Sequence, residues 1–328
     1  MIEIKNLSKH YNDKTIFKAL DNISFNIDDN DSLGIVGYSG AGKSTLVRLI
    51  NGLIKPTSGD IIIDGKSILD LSNKDLNLLR QNIGMVFQHF NLLTTLTVYQ
   101  NIELALKISK YSKEEREDRI YEVLKLVNLL DEKDLYPKSL SGGEKQRVGI
   151  SRAISTNPKY LLCDEITSAL DNKTTDEIIN VLNDIKKKRE ITIIFISHDL
   201  DVVRRFCNRV VVMEAGKVVE YNDTKLIFTN PEADATKKLI KSIINFDSYY
   251  GEDVYKLTYK GSAGDKTLIS DIIKNYNIKL SIQAGLTLDI LDESIGYLVV
   301  KFTGENLPKA FIFLEDNGVK IEKLERRN

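Results

Sequence analysis

The chain carries two hydrophobic rhythms. Apolar runs at Ser32-Leu33-Gly34-Ile35-Val36, Tyr160-Leu161-Leu162-Cys163 and Ile191-Thr192-Ile193-Ile194-Phe195-Ile196 are separated by stretches whose apolar residues fall on one helical face, such as Leu46, Val47, Leu49 and Ile50. Runs that are apolar on both faces predict strands of a parallel sheet covered by helices, and strands and helices alternate from the start to about residue 230. The block from Thr97 to Pro137 is helical instead. Ser112-Lys113-Glu114-Glu115 reads as a capping box, and Ile120, Val123, Leu124 and Val127 recur at helical spacing, which predicts an inserted helical subdomain over about 97–137.

After Pro231 the rhythm changes. Residues 234–252 read as a helix and linker, and a second domain follows over 253–328. Val254 to Lys260 alternates as a strand, and Leu268, Ile269, Ile272, Ile273 and Tyr276 mark a helix. Leu286, Leu288 and Ile290 alternate, as do Leu298, Val300 and Phe302. Leu307, Ala310, Phe311 and Leu314 mark a second helix closed by Asn317-Gly318, before a last strand at Val319 and Ile321. The order β-α-β-β-α-β predicts a ferredoxin-like α+β domain appended to an α/β domain over 1–233.

Charge narrows the partners. Among 328 residues, 46 basic side chains face 47 acidic ones, so there is no bulk electrostatic case for nucleic acid. No apolar stretch approaches the roughly 20 residues that cross a bilayer, and Met1-Ile2-Glu3-Ile4-Lys5 lacks the layout of a signal peptide, which predicts a cytosolic protein. Cys163 and Cys207 lie far apart and outside any paired-ligand motif, and they read as thiols in a reducing compartment. Lys186-Lys187-Lys188-Arg189 falls at a predicted helix end, where cations complement the dipole and stay solvated.

Three segments carry chemistry. Gly37-Tyr38-Ser39-Gly40-Ala41-Gly42-Lys43-Ser44-Thr45 follows a buried strand and opens a helix, so its backbone N–H groups converge on one spot as a phosphate cradle. Lys43 reaches the outer phosphates there, and the Ser44 hydroxyl is a ligand for Mg²⁺. Asp164 and Glu165 end another buried strand, where adjacent carboxylates demand a cation. Asp164 is assigned to Mg²⁺ and Glu165 to polarising the water that attacks a γ-phosphate. Ser141-Gly142-Gly143-Glu144 starts a helix running through Val148, Ile150 and Ala153, with Ser141 as N-cap and Glu144 at N3. Its bare first-turn amides suit a phosphate held by another copy of the chain, because one cradle already serves its own nucleotide.

Leu140-Ser141-Gly142-Gly143-Glu144-Lys145-Gln146-Arg147 resembles the signature of ATP-binding cassette (ABC) ATPases. Gln88 in Val86-Phe87-Gln88-His89-Phe90 looks like the Q-loop glutamine, Ser168-Ala169-Leu170-Asp171 like the D-loop, and His198 in Ile196-Ser197-His198-Asp199 like the switch histidine. Tyr11 falls where the family stacks an aromatic on adenine. The resemblance covers about two-thirds of the chain with six motifs in the family's order, and it implies a P-loop ABC ATPase domain with a helical subdomain. It implies catalytic roles for Glu165, His198 and Gln88. It implies ATP contacts from Tyr11, Gly37, Ser39, Gly40, Gly42, Lys43, Ser44, Thr45, Ser141, Gly142, Gly143 and Asp171, and a Mg²⁺ held by Ser44, Gln88 and Asp164. It also implies a head-to-tail homodimer sandwiching two ATP molecules, each between the Lys43 loop of one subunit and Ser141 of the other. The Gln88 segment and the helical subdomain would push on a polytopic membrane permease, with the protein peripheral on the cytoplasmic face of the membrane. The family often has Gln where this chain has Glu144; a carboxylate helps the helix start but repels a nearby phosphate.

Finer resemblance points to the importer branch that serves methionine, on Ser39-Gly40-Ala41-Gly42-Lys43-Ser44-Thr45-Leu46-Val47-Arg48, Gln88-His89-Phe90-Asn91-Leu92-Leu93 and Leu161-Leu162-Cys163-Asp164-Glu165. Residues from about Asp253 onward are similar to the small ferredoxin-like domain named for an Asn-Ile-Leu (NIL) triplet, which in these transporters binds L-methionine and restrains uptake. The match to the triplet is Ser281-Ile282-Gln283. The resemblance further implies a substrate-binding protein as an indirect partner. The alternatives are an ABC importer ATPase for another small solute, a C-terminal domain that dimerises without a ligand, and a non-transport ABC ATPase, which would typically carry two cassettes or long coiled-coil insertions. A kinase or switch GTPase shares only the phosphate loop.

Overall fold

A computed structural model of the chain describes residues 1–12, 16–246, 248–260 and 267–325. They form two compact units, Met1–Thr224 and Lys225–Asn328. The first unit begins with β1 (Ile2–Asn12), β2 (Ile16–Ile27), β3 (Ser32–Val36), α1 (Lys43–Ile50), β4 (Ser58–Ile63), β5 (Lys66–Ser67), α2 (Asn73–Gln81) and β6 (Ile83–Val86). It continues with α3 (Val98–Ile108), α4 (Lys113–Leu126), α5 (Gly142–Ile154), β7 (Tyr160–Asp164), α6 (Asn172–Lys188), β8 (Thr192–Ile196), α7 (Leu200–Phe206), β9 (Arg209–Glu214) and β10 (Lys217–Asp223).

A six-stranded sheet in the order β10-β9-β3-β8-β7-β6 is parallel except for β10. All five residues of β3 and of β8 are buried, as the continuous apolar runs require. The alternation of strand and helix begins only at β3. Ahead of it β1 and β2 pair antiparallel, and with β4 and β5 they make a second sheet in the order β2-β1-β4-β5. Ile2 and Ile4 are buried while Lys5 is exposed, the one-sided pattern of an antiparallel sheet with a solvated face.

The helical block contains α3 and α4, and each starts with a capping box, Thr97 with Gln100 and Ser112 with Glu115. Asn101, almost wholly buried, donates to the carbonyls of Leu93, Leu96 and Thr97 and accepts from Leu93 N–H, so one amide fixes the loop entering α3. The basic run closes α6, with Lys187 and Lys188 exposed, but Lys186 turns inward and donates to Ser32 Oγ at 2.6 Å. Cys163 and Cys207 are free and buried, and burial pushes both thiols up.

The second unit comprises α8 (Thr224–Thr229, entered from the first unit), α9 (Asp234–Lys241), β11 (Val254–Lys260), α10 (Leu268–Tyr276), β12 (Lys279–Ile290), β13 (Glu293–Thr303), α11 (Leu307–Asp316) and β14 (Lys320–Lys323). Its antiparallel sheet has the order β12-β13-β11-β14, the ferredoxin-like arrangement that the β-α-β-β-α-β order predicts. Leu257, Val300 and Phe302 from the strands meet Ile272, Ala310 and Leu314 from α10 and α11 in one core. On the alternate face of β13, Tyr297 donates to Phe228 O of α8 at 3.3 Å, while Lys320 donates to Asn230 Oδ1 at 2.8 Å and Lys225 pairs with Glu293 at 2.8 Å. These bonds tie residues 225–230 to the sheet, so the unit starts at Lys225 although the sequence rhythm changes only after Pro231. Ser281-Ile282-Gln283 lies on the edge strand β12 at a bulge between Ile282 and Ala284, with Gln283 Nε2 donating to Ser281 Oγ at 3.0 Å. Among the described residues no helix is long and apolar enough to cross a membrane.

Candidate functional site

The loop between β3 and α1 is shaped by backbone conformations that a side chain resists. Gly37, Gly40 and Gly42 have φ of +153°, +83° and +103°. A Cβ on Gly42 would lie 2.4 Å from Ala19 O and one on Gly37 would lie 2.3 Å from Met213 O, so the loop is pressed against two strands at both ends. Gly42 caps α1 without a side-chain bond, which leaves the amides of the first turn, from Lys43 onward, uncapped by any side chain. Lys43 Nζ donates to Gly37 O at 2.6 Å and to Tyr38 O at 3.2 Å. Burial lowers the Lys43 pKa, and the carboxylates of Glu165 and Asp164 oppose that shift. Ser39, Gly40 and Ser44 are exposed around it and Thr45 is half-buried.

The other candidates leave the carboxyl ends of neighbouring strands. In the sheet β3, β8, β7 and β6 are successive, and Lys43, His198, Glu165 and Gln88 follow them in turn. Glu165 has φ +50° and donates its N–H to Ile196 O at 3.0 Å, which turns the chain sharply off β7 and ties it to the end of β8. Its Oε2 lies 3.6 Å from His198 Nδ1. Burial and then the Glu165 carboxylate push Asp164 up, against the pull of Arg48 and Lys43. Gln88 Nε2 donates to Ser168 Oγ at 3.1 Å, and Ser168 Oγ donates to Glu165 O at 2.8 Å, so one hydroxyl links the Gln88 loop to the turn carrying Glu165.

Ser141 caps α5 in a closed box. Its N–H and Oγ donate to Glu144 Oε2 at 2.7 and 2.8 Å, and Glu144 N–H donates to Ser141 Oγ at 3.3 Å. These bonds hold the Glu144 carboxyl below its usual range. Gly142 is exposed, and a Cβ on Gly143 would come within 2.4 Å of Thr174 Cγ2, so only glycine lets the start of α5 lie against the start of α6. Asp171 caps α6, accepting from Thr174 N–H at 2.9 Å and Thr174 Oγ1 at 2.8 Å.

Lys43, Asp164, Glu165, His198 and Gln88 therefore form one group at the sheet end. Ser141, Gly142, Gly143 and Asp171 form another at two neighbouring helix starts, and among the described residues no hydrogen bond or ion pair joins Ser141 to the Lys43 cradle. Tyr11 stands apart on β1 as an exposed ring, with Lys9 Nζ 5.2 Å from its centroid. Among the described residues no cluster of three or more His, Cys, Asp or Glu could hold a metal ion alone.

Two participants escaped the sequence reading. Ser168 opens the Ser168-Ala169-Leu170-Asp171 segment, but nothing in its spacing shows that it bridges two loops. Arg152 of α5 donates to Asn91 O at 2.6 Å and Phe90 O at 3.0 Å, where Phe90 and Asn91 have φ +58° and +47°. Left-handed backbone costs a residue such as Phe90 roughly 1–2 kcal/mol, and Asn91 less. The local signal is a cation in the last turn of α5, which reads equally well as a complement to the helix dipole. A cavity of about 820 Å³ near Arg119, Glu122, Lys125 and Arg189 contains none of these residues. Its two guanidiniums are bound to Glu122 and to Ile154 O, the last carbonyl of α5.

The ABC transporter family matches residues 20–168, and the NIL domain matches residues 253–323. The chain is 42% identical to the methionine import ATP-binding protein MetN of Helicobacter pylori over 326 residues, covering 99% of each chain. It is 43% identical to the methionine import ATP-binding protein MetN 2 of Acinetobacter baylyi over 336 residues, covering 98% of each. Among solved structures it is similar to the ATP-binding cassette MJ0796 in a dimeric post-hydrolysis state bound to ADP and Pi. That match has 38% identity and a TM-score of 0.63 and covers 68% of this chain and 99% of that one. It is also similar to cbiO1 of Clostridium perfringens, part of the ABC transporter complex cbiONQ, with 34% identity and a TM-score of 0.65 over 75% of this chain and 96% of that one. The chain belongs to the family of ABC transporter ATP-binding proteins, and it carries a C-terminal NIL domain.

Proposed function

We propose that this protein is the ATP-hydrolysing subunit of an ABC importer that energises methionine uptake. The observation that carries this reading is the likeness to methionine import ATP-binding proteins along the whole chain, C-terminal domain included, together with Lys43, Glu165, His198 and Gln88 at four adjacent strand ends. Residues 1–233 act as the nucleotide-binding domain, with 97–137 as its helical subdomain, 234–252 as helix and linker, and 253–328 as the regulatory domain.

In this reading the amides from Gly37 to Thr45 and the Lys43 ammonium bind the β- and γ-phosphates of ATP, exchanging the carbonyls of Gly37 and Tyr38 for phosphate oxygens. Tyr11 lies against the adenine. Ser44, Asp164 and Gln88 would hold Mg²⁺, and the crowding that pushes Asp164 up fits a bound cation, which would add positive charge beside the two carboxylates and the phosphates. Glu165 accepts the proton of the attacking water, and His198, 3.6 Å from its Oε2, orients that carboxylate and the γ-phosphate. Ser141, Gly142, Gly143 and Asp171 complete the site of a second subunit, which makes the working unit a head-to-tail homodimer. That dimer sits on the cytoplasmic face of the membrane against a polytopic permease, with a substrate-binding protein delivering the solute.

The C-terminal domain senses L-methionine. A second reading, import of another small solute, is favoured by one observation: Ser281-Ile282-Gln283 stands at an edge-strand bulge where the domain's name-giving triplet is Asn-Ile-Leu. The deciding experiment reconstitutes the protein with its permease and binding protein in vesicles containing ATP. Uptake of L-methionine that is lost with Glu165→Gln supports the first reading. ATP-dependent uptake of a different amino acid, with none of methionine, supports the second, and no ATP-dependent uptake of any solute refutes both.

A further inference from the structure

The helix that begins at Ser141 meets the Gln88 loop again near its far end. Gly149 and Arg152 share one face of α5 at i, i+3. A Cβ on Gly149 would lie 3.8 Å from Phe90 O, so the helix runs alongside the loop here, and the Arg152 guanidinium then reaches Phe90 O at 3.0 Å with Nη2 and Asn91 O at 2.6 Å with Nη1. Two successive left-handed residues turn their carbonyls the same way, and the result is a two-pronged acceptor that matches the planar fork of an arginine. Burial lowers the Arg152 pKa and no described carboxylate counters it, which leaves the two carbonyls as the partners of this cation.

We propose that Arg152 is a positioning residue for ATP hydrolysis: it clamps Phe90 and Asn91 in the left-handed turn and thereby fixes where Gln88, two residues upstream, presents its amide. The inference rests on the reading of Gln88 as a residue of the ATP site. Gln88 is in turn linked through Ser168 Oγ to Glu165 O, so the clamp joins the signature helix to the turn that carries the general base. A movement of α5 is then transmitted to Gln88 without passing through the nucleotide. Lysine is a weaker clamp, because its N–H groups diverge from a single nitrogen on a flexible stem, whereas the guanidinium holds two parallel N–H groups on separate nitrogens in one rigid plane.

The test measures steady-state ATP hydrolysis and nucleotide binding by the purified full-length protein. Arg152→Lys, which retains the charge and the apolar stem, is expected to keep KM and the ATP dissociation constant within about twofold of wild type while lowering kcat about tenfold. Added to Gln88→Ala, the same change is expected to cost less than about twofold more, since both act through one side chain. Asn91→Gly in the Arg152→Lys background is expected to recover kcat by about threefold or more over Arg152→Lys alone, because glycine adopts the turn unclamped; this arm still decides the matter if Gln88→Ala is too slow to measure. Wild-type kcat in Arg152→Lys, multiplicative losses in the double variant, or no recovery with Asn91→Gly overturns the proposal. Lys43→Ala is run in parallel: if it hydrolyses ATP normally, the ATP-site reading itself fails, whereas if it is inactive and Arg152→Lys is normal, only the clamp fails.

Discussion

Lys43 Nζ donates to Gly37 O at 2.6 Å, so the cation at the start of α1 closes back onto the first residue of its own loop. The bond holds the loop curved around the ammonium, and binding a polyphosphate exchanges carbonyl acceptors for charged ones. Charge-assisted bonds of this kind contribute about 1.5–3 kcal/mol. Lys43→Ala should therefore weaken ATP binding by about tenfold or more, measured by titration with a fluorescent analogue. Glu165→Gln should leave that titration unchanged but slow phosphate release by about a hundredfold, the scale of a lost general base. Wild-type turnover by Glu165→Gln would remove that residue from the role.

The split between the Lys43 and Ser141 groups predicts a composite site. Ser141→Arg should abolish ATP-driven dimerisation while leaving ATP binding to the monomer intact. When inactive Lys43→Ala and Ser141→Arg subunits are mixed, each heterodimer should retain at most one intact site, because the other carries both lesions. Full hydrolysis by either variant alone would exclude the arrangement.

Glu144 holds the hydroxyl of Ser141 through a carboxylate kept below its usual range by that same serine. A carboxyl whose folded-state pKa is depressed stabilises fully above its unfolded value, about 4.3, and loses that contribution as pH falls through the lower folded value. Between pH 6 and 8 the charge is therefore constant. Glu144→Gln keeps the capping box and removes the negative charge at the start of α5, so if that helix start meets a partner's phosphate, in a Glu165→Gln background it should tighten ATP-driven dimerisation about two- to fivefold, equally at pH 6 and 8. Light scattering that shows a weaker dimer would contradict this account of Glu144.

Gln146 is wholly buried, and neither its Nε2 nor its Oε1 has a hydrogen-bond partner among the described residues. Desolvating an amide without a partner costs about 1–3 kcal/mol, and an apolar side chain of similar volume removes that cost. Gln146→Met should raise the melting temperature by about 2–4 °C, the shift expected for roughly 1 kcal/mol in a unit of this size. A drop of similar size in thermal denaturation would mean that the amide is bonded in solution.

The C-terminal unit contributes none of the residues gathered at the ends of β3, β6, β7 and β8. If it senses the transported amino acid, a difference of a few kcal/mol in affinity between resting and closed states is enough to shift activity more than about tenfold. Millimolar L-methionine should inhibit ATP hydrolysis by the intact transporter and leave one truncated after Asn245 unaffected. Equal inhibition of both, or none of the intact protein, rejects the sensing role.

What the sequence determined by itself is what depends on neighbours within a few residues. The glycine spacing of the cradle, the capping boxes at Ser112 and Ser141, the apolar strands β7 and β8 and the β-α-β-β-α-β order of the second unit all rest on local periodicity and local hydrogen bonds. Tertiary structure alone decided which of these lie side by side. Hydrophobic pattern says that a strand face is buried but not which strand adjoins it, so the placing of β8 between β3 and β7, which brings His198 beside Glu165, could not be read from either segment. The same holds for Gln88 with Ser168, 80 residues apart, and Arg152 with Asn91, 61 apart. Each is a single polar contact whose partner is chosen by how the sheet and helices stack, and stacking is fixed by the fit of whole apolar faces rather than by the residues that happen to meet at their ends.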